Sequence, residues 1–224
     1  MNWMQTIQQA ALFRNFTYDE FEQILPGLHG NIRTIKKDAI LLNEGELVSW
    51  GGIVISGSLA TIKIQFNGTI SILDFIFPSK IFALDMALTP SKISALSIQA
   101  LEDSVLYIFP FGGIETFDWM TISQKDRMIN NMLMYLANEN VRKQHKIEVT
   151  SQHSLRGRVL SYLYFMAGRH ESTTFFIPYS REQLANYLCV NRSTLSHELS
   201  SMRSEGLIDF KKNRFTILTN RLPT

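Results

Sequence analysis

The stretch whose residue types and spacing bear chemistry is Ser180 to Ile217, SREQLANYLCVNRSTLSHELSSMRSEGLIDFKKNRFTI. Ser180 with Gln183 is the pattern of a capping box, so it opens a short helix with Leu184 and Leu188 inward and the small Ala185 where a second helix can cross closely. Cys189, Val190 and Asn191 make a three-residue turn, and Asn191 is suited to cap the next helix. That helix places Leu195, Leu199 and Met202 on one side and Arg192, Ser193, Ser196, His197 and Ser200 on the other. Gly206 closes it, and Lys211-Lys212-Asn213 is a basic turn between two short strands. A short, polar, cationic helix face is what entry into a DNA major groove requires, because Arg can donate two parallel hydrogen bonds to guanine. The pattern predicts a winged helix-turn-helix in which Arg192, Ser193 and His197 read bases, with Ser196 marginal. Ser180, Arg181, Lys211 and Lys212 would hold phosphates, which set register rather than sequence, and Arg214 belongs with the wing cations. The competing reading is an ordinary surface helix on which Arg192 and His197 are merely solvated.

The rest of the chain must position that segment. The 224 residues are 45% hydrophobic and 19% charged, enough for a packed core in one large domain or two modest ones. One cysteine excludes a disulfide framework and any four-cysteine metal centre within the chain. Apolar runs stay well short of the ~18 residues of a membrane span, and the N-terminus lacks a basic leader, so a soluble cytoplasmic protein is expected. The net charge of +2 divides into −5 over residues 1–120 and +7 over 121–224, the asymmetry of a nucleic-acid binder with a separate module.

Residues 1–30 read as short helices, with Thr17 and Glu20 forming a capping-box start. From about 32 to 110 apolar runs alternate with turns at Gly45, Gly57 and Asn67-Gly68, the rhythm of antiparallel strands in a sandwich or barrel. Between 123 and 147 there is neither Pro nor Gly, and Ile129, Met132, Leu133, Leu136 and Ala137 form an apolar stripe beside Met128 and Tyr135. A helix of that length between two modules buries its stripe against the neighbouring domain and a partner helix, the alternative being packing within one subunit. Ser151 to Ala167 forms another helix, with Gly168 as its expected cap.

With these residues in view, the chain over roughly 10–220 resembles the cyclic-AMP receptor protein/FNR family of bacterial transcription regulators. KKDAILLNEGE and IVISGSLATIKI are similar to the family's first roll strands, FPSKIFALDMAL is closer to the FNR branch, and VNRSTLSHELSSMRSEGLI is the strongest match. The resemblance implies an α+β protein: an N-terminal antiparallel β-roll (jelly-roll) sensor over 1–118, a long dimerisation helix over 119–148 and a C-terminal winged helix-turn-helix over 149–224. It implies a homodimer on pseudo-palindromic double-stranded DNA, with RNA polymerase and a small-molecule effector as further partners. An effector pocket would lie near Phe82, Leu84, Asp85 and Ser94, with Met128 or Met132 as lids, although these residues equally suit a plain hydrophobic core.

The departures narrow the effector. Nucleotide-binding members use Gly-Glu and Arg-Ser/Thr pairs, where this chain has Phe82-Ala83-Leu84-Asp85 and Ser94-Ala95, with Lys92 the nearest cation. A buried phosphate would lack its partner, so cyclic AMP is not the expected ligand. The single Cys189 cannot hold the iron–sulfur cluster of oxygen-sensing members, and His29 is the one histidine of the sensor region, so no cofactor is predicted and the effector is unknown. Cys189 stands where the family commonly has Gly and His197 where it has Arg. Cys189 is expected as a half-buried small hydrophobe, the alternative being a redox-responsive thiol. The preferred half-site is expected to differ under His197. A cupin-like metalloenzyme would need converging histidines, and residues 32–110 contain none. The remaining alternative is a ligand-binding regulatory protein that acts through a protein partner and keeps the helix-turn-helix as scaffold.

Overall fold

The computed structural model describes residues 3–66 and 70–218. The elements in chain order are α1 (Trp3–Gln8), α2 (Tyr18–Ile24), β1 (Asn31–Ile35), β2 (Ile40–Leu42), β3 (Trp50–Ser56), β4 (Leu59–Ile64), β5 (Ile70–Ile76), β6 (Ile81–Phe82), α3 (Leu84–Ala87), β7 (Ser97–Ala100), β8 (Ser104–Pro110) and α4 (Ile122–Ser151). They continue with α5 (Leu155–His170), β9 (Thr174–Phe176), α6 (Arg181–Tyr187), α7 (Arg192–Ser204), β10 (Ile208–Lys211) and β11 (Arg214–Ile217). The chain forms two compact units, residues 1–139 and 140–224.

In the first unit two four-stranded antiparallel sheets, ordered β1-β8-β3-β6 and β2-β7-β4-β5, form the β-roll. Their apolar residues, among them Ile53, Leu59, Ile98, Leu106 and Phe109, join one core. Turn chemistry sets the strand ends. Gly57 sits at φ +82°, and a Cβ there would lie 2.7 Å from the Ser104 Cα, so the β3–β4 turn needs glycine for conformation and for space. Strands β4 and β5 pair through Ile64 and Ile70, while the Asn67-Gly68 hairpin lies outside the described residues.

The N-terminal segment is strapped to α4. Thr17 and Glu20 make the expected capping box of α2. The same Glu20 carboxylate forms an ion pair with Arg127, which also donates to the Asn15 carbonyl and lies 4.4 Å from the centre of the Phe16 ring. Asn131 is buried and donates its amide to the carbonyls of Leu12 at 2.8 Å and Arg14 at 2.7 Å. Hydrogen bonds from Arg127, and then the Thr17 amide, hold the Glu20 carboxyl down at about 2 against its ordinary 4.5. A carboxyl depressed on folding contributes stability above its unfolded value and loses it as pH falls toward the folded one. The stability of the protein is therefore expected to fall between pH 4.5 and 2 with a share that Glu20→Gln removes. Denaturation curves of both proteins across that window check this, and parallel pH profiles would refute it.

The apolar positions of α4 do not form one buried stripe. Met128 and Met132 are buried in the roll core, with Tyr135 packed against it and donating to the Ile81 carbonyl at 3.2 Å. Leu133 is 61% exposed and Met134 49%, Ala137 is also exposed, and Ile129 and Leu136 are half-buried. The split follows from the 100° step per residue: eight apolar positions over the ten residues 128–137 span more than one face.

In the second unit α5, α6 and α7 pack with a three-stranded sheet ordered β10-β11-β9. Helix α5 begins at Ser154, whose Oγ accepts from the Gly157 amide, and runs past Gly168 to His170. The left-handed residue that closes it is Glu171, at φ 48°, whose amide donates to the carbonyls of Ala167 and Gly168. Glycine at 168 is thus an interior helix residue, a correction to the expected cap. Beneath the helices Tyr162, Tyr179 and Tyr187 form a cluster with ring centres 5.0 to 6.2 Å apart. The Tyr162 hydroxyl is buried without a partner among the described residues, and burial pushes its pKa up. An orphan buried hydroxyl costs more than it returns. Tyr162→Phe is expected to raise stability by about 1 kcal/mol, read as a higher denaturation midpoint with unchanged slope; a loss of stability would show that the hydroxyl is satisfied.

Candidate nucleic-acid interface

Local chemistry builds the helix pair as its sequence reads. Ser180 Oγ accepts from the Gln183 amide at 3.2 Å and Gln183 Oε1 from the Ser180 amide at 2.8 Å, starting α6. Leu184, Ala185 and Leu188 are buried where α6 meets α7. Cys189 takes the left-handed conformation at φ 57°, which a non-glycine residue adopts at a cost of ~1 kcal/mol. Its side chain is exposed, not half-buried as expected, because the left-handed turn carries Cβ away from the helix crossing. Asn191 Oδ1 then accepts from the Thr194 amide at 2.8 Å and from the hydroxyls of Ser193 and Thr194.

On α7, Leu195, Leu199 and Met202 are buried and Arg192, Ser193, Ser196, His197 and Ser200 are exposed. Ser196 donates its hydroxyl to the Arg192 carbonyl and Ser200 to the Ser196 carbonyl, each at 2.9 Å, so toward solvent both can only accept. Gly206, at φ 74°, ends the helix. Its amide donates to the Arg203 carbonyl and that of Leu207 to the Met202 carbonyl, the paired bonds of a Schellman stop. Lys212, again left-handed, turns the β10–β11 wing, where Lys211 pairs with Arg214.

Most arginines here are committed to the fold. Arg156 on α5 ion-pairs with Glu198 at 2.7 Å and with Glu205 at 2.6 Å, bracing α7 from the side away from solvent-facing Arg192. Its hydrogen bonds hold the Glu205 carboxyl below the usual range. Arg158 donates to the carbonyls of Gln152 and Leu188, and Arg203 pairs with Asp209 at 2.8 Å. Arg181, expected at a phosphate, instead lies 4.8 and 4.7 Å from the ring centres of Phe210 and Phe215 and donates to the Lys212 carbonyl at 2.8 Å. Burial lowers its pKa, and one guanidinium nitrogen has no partner among the described residues. Arg192, His197, Lys211, Lys212 and Arg214 are exposed and have no side-chain partner among the described residues. The Arg156 brace escaped the sequence reading; its signal, acidic residues at 198 and 205 on one helix face, does not name the arginine they meet.

The effector candidates of the first unit fall differently. Phe82, Leu84, Met128 and Met132 are buried in the shared core, and Ser94 is buried with its hydroxyl donating to the Leu96 carbonyl. Asp85 is half-buried and accepts from the Met86 amide at 3.1 Å. Lys92 donates to the Gly112 carbonyl at 2.6 Å. A groove of about 460 Å³ is lined by none of these six candidates.

Family models match the chain as a cyclic nucleotide-binding domain over residues 32–117 and a Crp-like helix-turn-helix domain over residues 157–221. The transcriptional activator protein FnrA of Stutzerimonas stutzeri is 24% identical over 192 residues, 83% of this chain and 76% of FnrA. The transcriptional activator protein Anr of Pseudomonas aeruginosa is 25% identical over the same shares. A CooA mutant from Carboxydothermus hydrogenoformans shares the fold at TM-score 0.65, with 17% identity over 88% of this chain and 86% of CooA. Roll, long helix, capped helix pair and wing, joined to these two matching domains and these relatives, make the chain a member of the Crp/Fnr family of transcription regulators, not an enzyme.

Proposed function

We propose that this regulator works in the cytoplasm as a homodimer on a pseudo-palindromic duplex, with one α7 in each of two successive major grooves. The observation that carries the reading is the sorting of cations. Arg156, Arg158, Arg181 and Arg203 are tied to the fold, while Arg192 on α7 and Lys211, Lys212 and Arg214 on the wing have no side-chain partner among the described residues. Arg192, Ser193 and His197 read base edges, and Ser196, whose hydroxyl hydrogen is spent, accepts from an amino group. Ser180, Lys211 and Lys212 meet phosphates, and Arg181 acts on the wing through the Lys212 carbonyl. The exposed Leu133, Met134 and Ala137 of α4 form the surface on which the second copy packs. A small molecule would shift the dimer between geometries of different α7 spacing and so alter recruitment of RNA polymerase. Cyclic AMP does not suit this role, since Lys92, the nearest cation, is spent on Gly112.

Selection of random duplexes by the ligand-free protein at two salt concentrations tests the reading. A palindromic motif with a steep salt slope is expected; enrichment of nothing, in buffer and in cell extract alike, would favour the scaffold alternative. Arg192→Ala is expected to cost ~1–3 kcal/mol on the selected site and to relax one base position, whereas Lys211→Gln should weaken all sequences alike and lower the salt slope by about 1. Uniform loss for Arg192→Ala would place it on the backbone instead.

A further inference from the structure

We propose that the first unit carries a second, peripheral ligand site, in the groove between the edges of its two sheets, that binds a small apolar or aromatic carboxylate carrying a single negative charge. The groove measures about 460 Å³, within the ~300–1,000 Å³ of small-molecule sites. It opens where edge strand β1 of one sheet and edge strand β2 of the other leave the roll, and its walls are Leu41, Leu47, Trp50 and Ile108. Leu47 is 68% exposed and Trp50 half-buried, so an apolar surface stands open that a ligand body would cover.

Two charged residues line it, Arg33 from β1 and Glu46 from the β2–β3 connection. Both Glu46 oxygens are taken by Asn43, one by its backbone amide at 3.1 Å and the other by its side-chain amide at 2.7 Å. These bonds keep Glu46 ionised below the usual carboxylate range. Arg33 is exposed and has no side-chain partner among the described residues. The free guanidinium fork matches a planar carboxylate, and a fixed carboxylate in the same lining repels a second negative charge. A monoanion with an apolar body therefore fits, and a phosphate dianion does not. The site shares no residue with the effector candidates, and its lining lies wholly in the first unit, apart from Arg192, His197 and the wing lysines, so it stands independently of the DNA-binding reading.

Calorimetric titration of the full chain with sodium 2-naphthoate, and with the neutral 2-naphthamide, tests the assignment. Naphthoate is expected to bind once per chain and about tenfold more tightly than the amide. Arg33→Gln, an exposed position, should remove that preference and leave amide binding unchanged, Leu47→Ser should weaken both, and inorganic phosphate should not displace naphthoate. Equal binding of acid and amide by the wild type, indifference to Arg33→Gln or to Leu47→Ser, or displacement by phosphate would each overturn the proposal.

Discussion

A chain carrying Leu133→Asp is expected to sediment as a monomer and to lose its selected duplex. Leu133 lies on the solvent side of α4, 61% exposed, while Met128 and Met132 on the other side fill the roll core. Exposed beside it are Met134 and Ala137, with Ile129 and Leu136 half-buried. Two copies packed through this face would bring both aspartates out of water without cations. Breaking such a contact with an uncompensated charge costs at least ~3 kcal/mol, or about 100-fold in dimer affinity. Because each copy supplies one α7, the monomer holds half a site, and the loss on DNA should exceed that of Arg192→Ala. Sedimentation at several concentrations and duplex titration check the two halves. Circular dichroism of the variant should match the wild type, as the exposed position of Leu133 predicts. A variant that remains dimeric would assign pairing to another surface.

The second large effect is on stability. Asn131→Leu is expected to destabilise the first unit by roughly 2–4 kcal/mol. Asn131 is 4% exposed, and its amide is the donor to two main-chain carbonyls, those of Leu12 and Arg14. Leucine matches its size but leaves both acceptors without a donor where water is largely excluded. The strap that ties the segment before α2 to α4 would then rest on Arg127, through its half-buried ion pair with Glu20 and its bond to the Asn15 carbonyl. Chemical denaturation measures the effect directly. A change under ~0.5 kcal/mol would mean that the two carbonyls find other donors. Glu20→Gln made in the same background should add more than its separate effect, since both side chains hold one segment.

The short-range features of this protein were written in its sequence. The boxes at Thr17/Glu20 and Ser180/Gln183, the Asn191 cap and the Gly206 stop each need only residues within five positions, so local hydrogen-bonding chemistry decides them. The face separation of α7 follows from its 3.6-residue period, and the sheets' turns from glycine rhythm, although the steric demand at Gly57 comes from the distant Ser104. Tertiary structure decided what each polar group could spend. Arg181 and Arg192 look alike in the sequence, yet the first is stacked on Phe210 and Phe215, which return to it through the wing, and the second faces solvent. Arg156 finds Glu198 and Glu205 more than forty residues away. Lys92 reaches Gly112, and Asn131 reaches Leu12 and Arg14. Which of the α4 apolar positions are buried, and the groove at Arg33, likewise are decided only once the sheets close. Periodicity and capping are properties of a chain's neighbours in sequence. A charge's partner and the space beside it are properties of its neighbours in space, which distant segments supply only on folding.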